Sequence, residues 1–203
     1  MARGRQSKCK SLKKTIYIFT EGETEKNYFS ILNKKYNSTV NVKISIQQAH
    51  KQGKSLLNHA LGTINTLSKV ERHNLGGIYI IFDKDNVDNA EITTVLSEAK
   101  KSNVEVGFSN SCFEVWLLAH FEKPNQSHTK SKLYKQLEKH LNCQQYSRNH
   151  KNDVELLGQL EDLVSVAIEN TSSMENFNQT LITHEPYTNI GQVIQNIYNK
   201  DMY

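Results

Sequence analysis

The chain has 203 residues, 37% hydrophobic and 23% charged, the balance of a soluble globular protein with length for one domain or one domain with a helical appendage. No apolar run is long enough to cross a bilayer, and the basic start from Met1 to Lys8 has no apolar core behind it, so neither a membrane span nor a secretory signal is expected and the reading is cytoplasmic. The formal net charge is +4, and the three cysteines, Cys9, Cys112 and Cys143, are odd in number and widely spaced, which gives no disulfide framework and no zinc pattern.

Residues 1–14 carry Arg3, Arg5, Lys8, Lys10, Lys13 and Lys14 and read as a basic flexible tail, either an arm for a phosphate backbone or a solvated end. Thr15 to Thr20 is a nearly continuous apolar run, the signature of a strand buried on both faces. A helix follows from Glu23 to Tyr36, with Tyr28, Phe29, Ile31 and Leu32 at helical spacing and acids in its first turn, where the helix dipole favours them. Val40 to Gln48 alternates as a half-buried strand, Ser55 to Arg72 reads as a helix, and Asn74 to Gly77 as a turn. Gly77 to Phe82 is a second continuous apolar strand, Asn89 to Ser102 a helix, and Val104 to Phe108 a fourth strand.

Beyond Ser109 the strand signals stop. Cys112 to Phe121 is apolar with helical period, carrying Phe113, Trp116, Leu117 and Phe121, and Pro124 ends it. Polar helices are predicted over Lys130 to Leu141, Asp153 to Asn170 and Ile190 to Tyr198. The βαβαβαβ order predicts an α/β fold: an open, mostly parallel four-stranded sheet flanked by helices over 15–122, with a helical lobe at 123–203 leaning on it through the Trp116 segment.

The chemistry lies just past two of these strands, in Glu21-Gly22-Glu23-Thr24-Glu25 and Asp83-Lys84-Asp85-Asn86. In an open α/β sheet, ligands collect beyond the strand carboxyl ends, so acids from distant parts of the chain converge there. Such a cluster repels itself unless a cation neutralises it, and carboxylate oxygens favour a hard ion, Mg2+ or Mn2+. Taken alone, each motif also fits a capped strand-to-helix turn, and a calcium-loop reading of Asp83 to Asp88 fails at Val87 and Asp88. The two motifs together, in this order, are the stronger signal.

These segments resemble the Toprim domain, the metal-dependent fold of topoisomerases, bacterial primases and OLD-type nucleases. The chain resembles more closely the RloB family of Toprim-like proteins in bacterial restriction-linked and phage-defence loci. The carrying stretches are Ile18 to Phe29, Phe82 to Asp85, and Ser109-Asn110-Ser111-Cys112-Phe113-Glu114-Val115-Trp116-Leu117-Leu118-Ala119-His120-Phe121, the last being the most family-specific. Ser111 departs from the proline common there, a change expected to loosen the turn without touching the metal site.

The resemblance implies that Glu21 is a metal ligand or general base and that Asp83 and Asp85 are the acidic pair holding Mg2+. Glu25, one helical turn past Glu21, either faces the same crevice or serves the helix dipole. Glu114 reads as a fourth metal carboxylate, as an orienting group, or as a capping acid in the first turn of its helix. His120 is expected to be a hydrogen-bonded structural histidine, and Lys26, Lys84, Arg148 and Lys151 are either phosphate contacts or solvated cations.

The implied activity is metal-dependent hydrolysis of phosphodiester bonds in DNA or RNA, by the effector of an anti-phage system. The alternative is a non-catalytic nucleic-acid or partner-binding module on the same fold, regulated by an associated ATPase. A phospho-accepting receiver and a primase-like transferase fit less well, because the first turn lacks the receiver's acidic pair and no zinc-binding element is present. No Gly-x-x-x-x-Gly-Lys-Ser/Thr loop occurs, so the chain is not expected to hydrolyse ATP through that motif, and the resemblance implies an ATPase partner encoded nearby.

Overall fold

The computed structural model describes residues 13–85, 87–174 and 182–198, with the side chains of 148 and 149 excepted. Almost all of the basic tail, Cys9 and Asn86 therefore lie outside the described residues, as does the side chain of Arg148.

Five strands form one sheet in the order β2-β1-β3-β4-β5. These are β1 (Lys14–Thr20), β2 (Val42–Gln48), β3 (Leu75–Asp83), β4 (Glu105–Asn110) and β5 (Tyr187–Thr188). The first four are parallel to one another, as the sequence pattern predicts. The fifth, absent from that expectation, is only two residues long and runs antiparallel to β4, with Ser109 opposite Thr188 and their hydroxyls 2.9 Å apart.

The continuous apolar runs are explained by burial on both sheet faces. Ile16 and Ile18 of β1, with Tyr79 and Ile81 of β3, enter one core with α1 (Glu23–Tyr36) and the later helices. Phe19, Ile78, Ile80 and Phe82 point the other way, into a second core with α2 (Gly53–Asn65) and α4 (Asn89–Lys101). The predicted single helix over 55–72 is two, because Ser68 starts a new one. Its hydroxyl accepts from the Glu71 amide while the Glu71 carboxylate accepts from the Ser68 amide, a capping box that opens α3 (Lys69–His73).

The Trp116 segment is a short helix, α5 (Glu114–Ala119), in which every residue is buried. Beyond it come α6 (Lys130–His140), a π-helical turn at Tyr146–His150, α7 (Val154–Gly158), α8 (Val164–Thr171) and α9 (Ile190–Ile197). The single helix predicted over 153–170 is thus also two. Leu133, Leu137, Leu157, Val164 and Ile194 join Trp116 and Tyr28 in the first core. Gly107 of β4 is required by close packing: a Cβ there would lie 2.5 Å from Ile81 Cδ1 and 3.0 Å from Ile190 Cδ1.

His120 ties α5 to α1, as a structural histidine would. Its Nε2 lies 2.9 Å from the Tyr28 hydroxyl and its Nδ1 3.1 Å from the carbonyls of Trp116 and Leu117. A neutral ring with the proton on Nδ1 satisfies both sides. Burial pushes its pKa down to about 4. Because the folded value lies below the unfolded one, this stabilising contribution is complete above about pH 6.5 and is lost as pH falls toward 4. The stability advantage of wild type over His120→Gln, measured by urea unfolding, is expected to shrink by about 3 kcal/mol between pH 7.5 and pH 4.

Candidate metal centre

Parallel pairing of β1 with β3 brings the two acidic motifs together. The Glu21 amide donates to the Ile81 carbonyl (3.0 Å), which sets Glu21 just beyond β1 and beside the end of β3, where Asp83 emerges. Oxygens of Glu21, Asp83 and Asp85 all lie within 4.8 Å of one another.

Each carboxylate is held differently. Glu21 is half-buried, and its Oε1 accepts from Gln52 Nε2 at 2.5 Å while its buried Oε2 has no hydrogen-bond partner. Gln52 precedes α2, and its side chain makes no cap bond to that helix. Asp83 is 6% exposed; its Oδ2 accepts from the Phe113 amide at 3.3 Å, and its Oδ1 is buried without a partner. Asp85, in the left-handed region at φ 29°, forms an ion pair with Lys130, the first residue of α6.

The turn carrying Asp85 is fastened to the next segment, the Lys84 amide donating to the Ser109 carbonyl (3.0 Å) and the Asp85 amide to the Ser111 carbonyl (3.2 Å). The Ser111 group that touches the site is its main-chain carbonyl, which a proline would present equally, and the Asn110–Ser111 peptide is cis.

Behind this triad lie two further carboxylates. Glu25 is 6% exposed and folds back against Gly22, where a Cβ would stand 2.6 Å from Glu25 Oε2 and would displace that carboxylate. Glu114 is fully buried and outside the triad; its Oε1 is 3.2 Å from the Lys151 ammonium. Lys151 is positioned by Asn152, whose Oδ1 accepts from the Thr24 hydroxyl (2.7 Å), whose carbonyl accepts from Asn27 Nδ2 (2.9 Å), and whose Nδ2 donates to Glu23 Oε2 (3.0 Å). Burial alone would depress Lys151; the Glu114 charge outweighs it and holds the ammonium above its ordinary value.

The electrostatics are those of crowded acids. Burial raises Asp83 well above the ordinary aspartate value, and the charges of Glu21, Glu25 and Glu114 add to it. Burial likewise raises Glu21, against the Gln52 hydrogen bond, and pushes Glu25 up to about 7. At 4.8 Å or less, two full negative charges repel by on the order of 3–4 kcal/mol at an effective dielectric of about 20. The Lys130–Asp85 pair, with side chains 39% and 27% exposed, offsets about 1 kcal/mol or less. A divalent ion at the triad would neutralise what the lysine leaves, and the two orphaned oxygens, Glu21 Oε2 and Asp83 Oδ1, offer it lone pairs.

Of the residues singled out from sequence, Glu21, Asp83 and Asp85 meet in one cluster, Glu25 sits close behind it, and Glu114 faces Lys151. Lys84 turns away, its ammonium donating to the Ile182 carbonyl at 3.2 Å. Sequence reasoning missed Gln52 and Lys130. Gln52 has a faint signal, standing before a glycine that opens an apolar helix, and Lys130 has none.

Because Glu25 titrates higher folded than unfolded, its ionisation weakens the fold as pH rises from about 4.5 to about 7. Glu25→Gln is therefore expected to be more stable than wild type at pH 8, by on the order of 3 kcal/mol in metal-free buffer, with the gain vanishing near pH 4. Thermal unfolding at the two pH values checks it.

A protein-family model described as RloB-like protein matches residues 16–197. No curated protein and no solved structure matches the chain.

Proposed function

The chain belongs to the RloB-like protein family, and from that premise and the acidic crevice we propose that it is a metal-dependent nuclease hydrolysing phosphodiester bonds of DNA or RNA. The observation that carries the reading is the triad of Glu21, Asp83 and Asp85 with a buried, unpartnered Asp83 Oδ1. Repelling carboxylates kept short of donors gain from a divalent ion and gain little from nucleic acid alone, which favours catalysis over a pure binding module. An all-oxygen donor set suits Mg2+ or Mn2+. When bound, the ion supplies polarisation of the phosphodiester and a bound water of lowered pKa.

The protein's own part is to hold and orient. Gln52 fixes the Glu21 carboxylate and the Phe113 amide fixes Asp83. Glu25, at about 7, is suited to take a proton from the attacking water near neutral pH. The net charge of +4 and sequence pI near 8.8 favour a polyanionic substrate. No helix among the described residues is long and apolar enough to cross a membrane.

We further propose, from the RloB resemblance, that the chain is an effector of an anti-phage system restrained by an ATPase partner. Co-purification of the chain with the product of an adjacent ATPase gene is the expected result of co-expression; two proteins that elute separately would remove the partner from the proposal.

The hydrolytic reading is tested with labelled DNA and RNA, single- and double-stranded, in Mg2+, Mn2+ or EDTA. Wild type is expected to cut one class of substrate only with metal, and both Asp83→Ala and Glu21→Ala to lose cutting. Cleavage persisting in both variants would remove the site from the reaction.

A further inference from the structure

Three lysines flank the triad, and their partners separate them. Lys84, between two of the acids in sequence, is turned onto the Ile182 carbonyl. Lys151 is tied to Glu114, a carboxylate with no exposed surface, so its departure would strand a buried charge. Lys130 alone among these three is paired with a triad member, and both partners keep contact with water. Such a pair exchanges at small cost.

The backbone of Lys130 is held by its helix, while its side chain stays partly in water. Lys130 opens α6, which is anchored in the core by Leu133 and Leu137, with Leu133 one turn further along. Its charge acts on Glu21 and Asp83 as well as on Asp85. Asp85 can give its lone pairs to the ammonium or to a divalent ion at the triad, and the ion's charge repels the ammonium. A phosphodiester reaching the triad brings a negative oxygen to the same rim.

We propose that Lys130 is a switching cation of this site: it binds Asp85, gives Asp85 up to a divalent ion, and then grips a non-bridging oxygen of the substrate phosphate. This deepens the nuclease reading and rests on it for the identity of the substrate. Two consequences follow together. Lys130 competes with metal in the absence of a phosphodiester and holds the phosphodiester in its presence, so one substitution tightens the first equilibrium and weakens the second.

The test uses the full chain, wild type and the variants Lys130→Met and Lys130→Arg, with circular dichroism to confirm folding. Free Mn2+ is followed by electron paramagnetic resonance during titration, and dimethyl phosphate, the simplest phosphodiester, is followed by Mn2+-induced relaxation of its phosphorus nucleus. Lys130→Met is expected to bind Mn2+ about three- to fivefold more tightly, the equivalent of losing one partly exposed ion pair. Its Mn2+-loaded form is expected to bind dimethyl phosphate about tenfold more weakly than wild type, with Lys130→Arg restoring most of that loss. Equal Mn2+ affinity, equal phosphorus relaxation, or no Mn2+ binding by wild type would each overturn the switch. Cutting of nucleic acid is a separate readout: a wild type that cuts while Lys130→Met leaves both equilibria unchanged keeps the nuclease reading and loses the switch. A wild type that never cuts but shows both shifts keeps the switch and loses hydrolysis.

Discussion

Mutual repulsion among buried carboxylates is the constraint on which this molecule turns. Glu21, Asp83 and Asp85 lie within 4.8 Å of one another, with Glu25 and Glu114 buried behind them. Each of these charges is cheaper in water, so gathering them costs the fold free energy. The compensation differs from acid to acid: Glu114, with no exposure, has Lys151 beside it; Asp83 and Glu21 have neutral donors; Asp85, nearest to solvent, has Lys130.

The scaffold serves that arrangement. β1 and β3 are adjacent and parallel, so residues distant in sequence leave the sheet side by side, and apolar packing on both faces fixes their ends. α1 closes one side, its first turns holding Asn152 and through it Lys151. α5 closes another, placing the Phe113 amide on Asp83 just before the helix and the buried Glu114 at its start, with Trp116 and His120 packed against Tyr28. The segment 109–121 thus forms a wall of the acidic crevice.

How far this was legible depends on whether a feature is local. The strands β1 and β3 and the acids after them are written in contiguous sequence, so the α/β class and the triad could be read directly. The capping box at Ser68 and Glu71 was equally local, but the apolar period running across it concealed the break. β5 is two residues without alternation, and only its pairing with β4 makes it a strand. Gln52, Lys130 and Lys151 reach Glu21, Asp85 and Glu114 through tertiary approach across 31, 45 and 37 positions of chain, and no local pattern assigns any of them its partner. Glu114 reads from sequence as a metal carboxylate, an orienting group or a capping acid, and its burial and its lysine partner, products of the fold, could not be read there.

The central claim is that the three carboxylates form a divalent-metal site. The direct measurement is anomalous diffraction from a crystal of the full chain soaked in Mn2+, collected near the manganese edge. A single strong peak, or a close pair, bounded by the side chains of Glu21, Asp83 and Asp85 is the predicted result. A crevice without anomalous density at millimolar Mn2+, with Lys130 still on Asp85, would contradict the account.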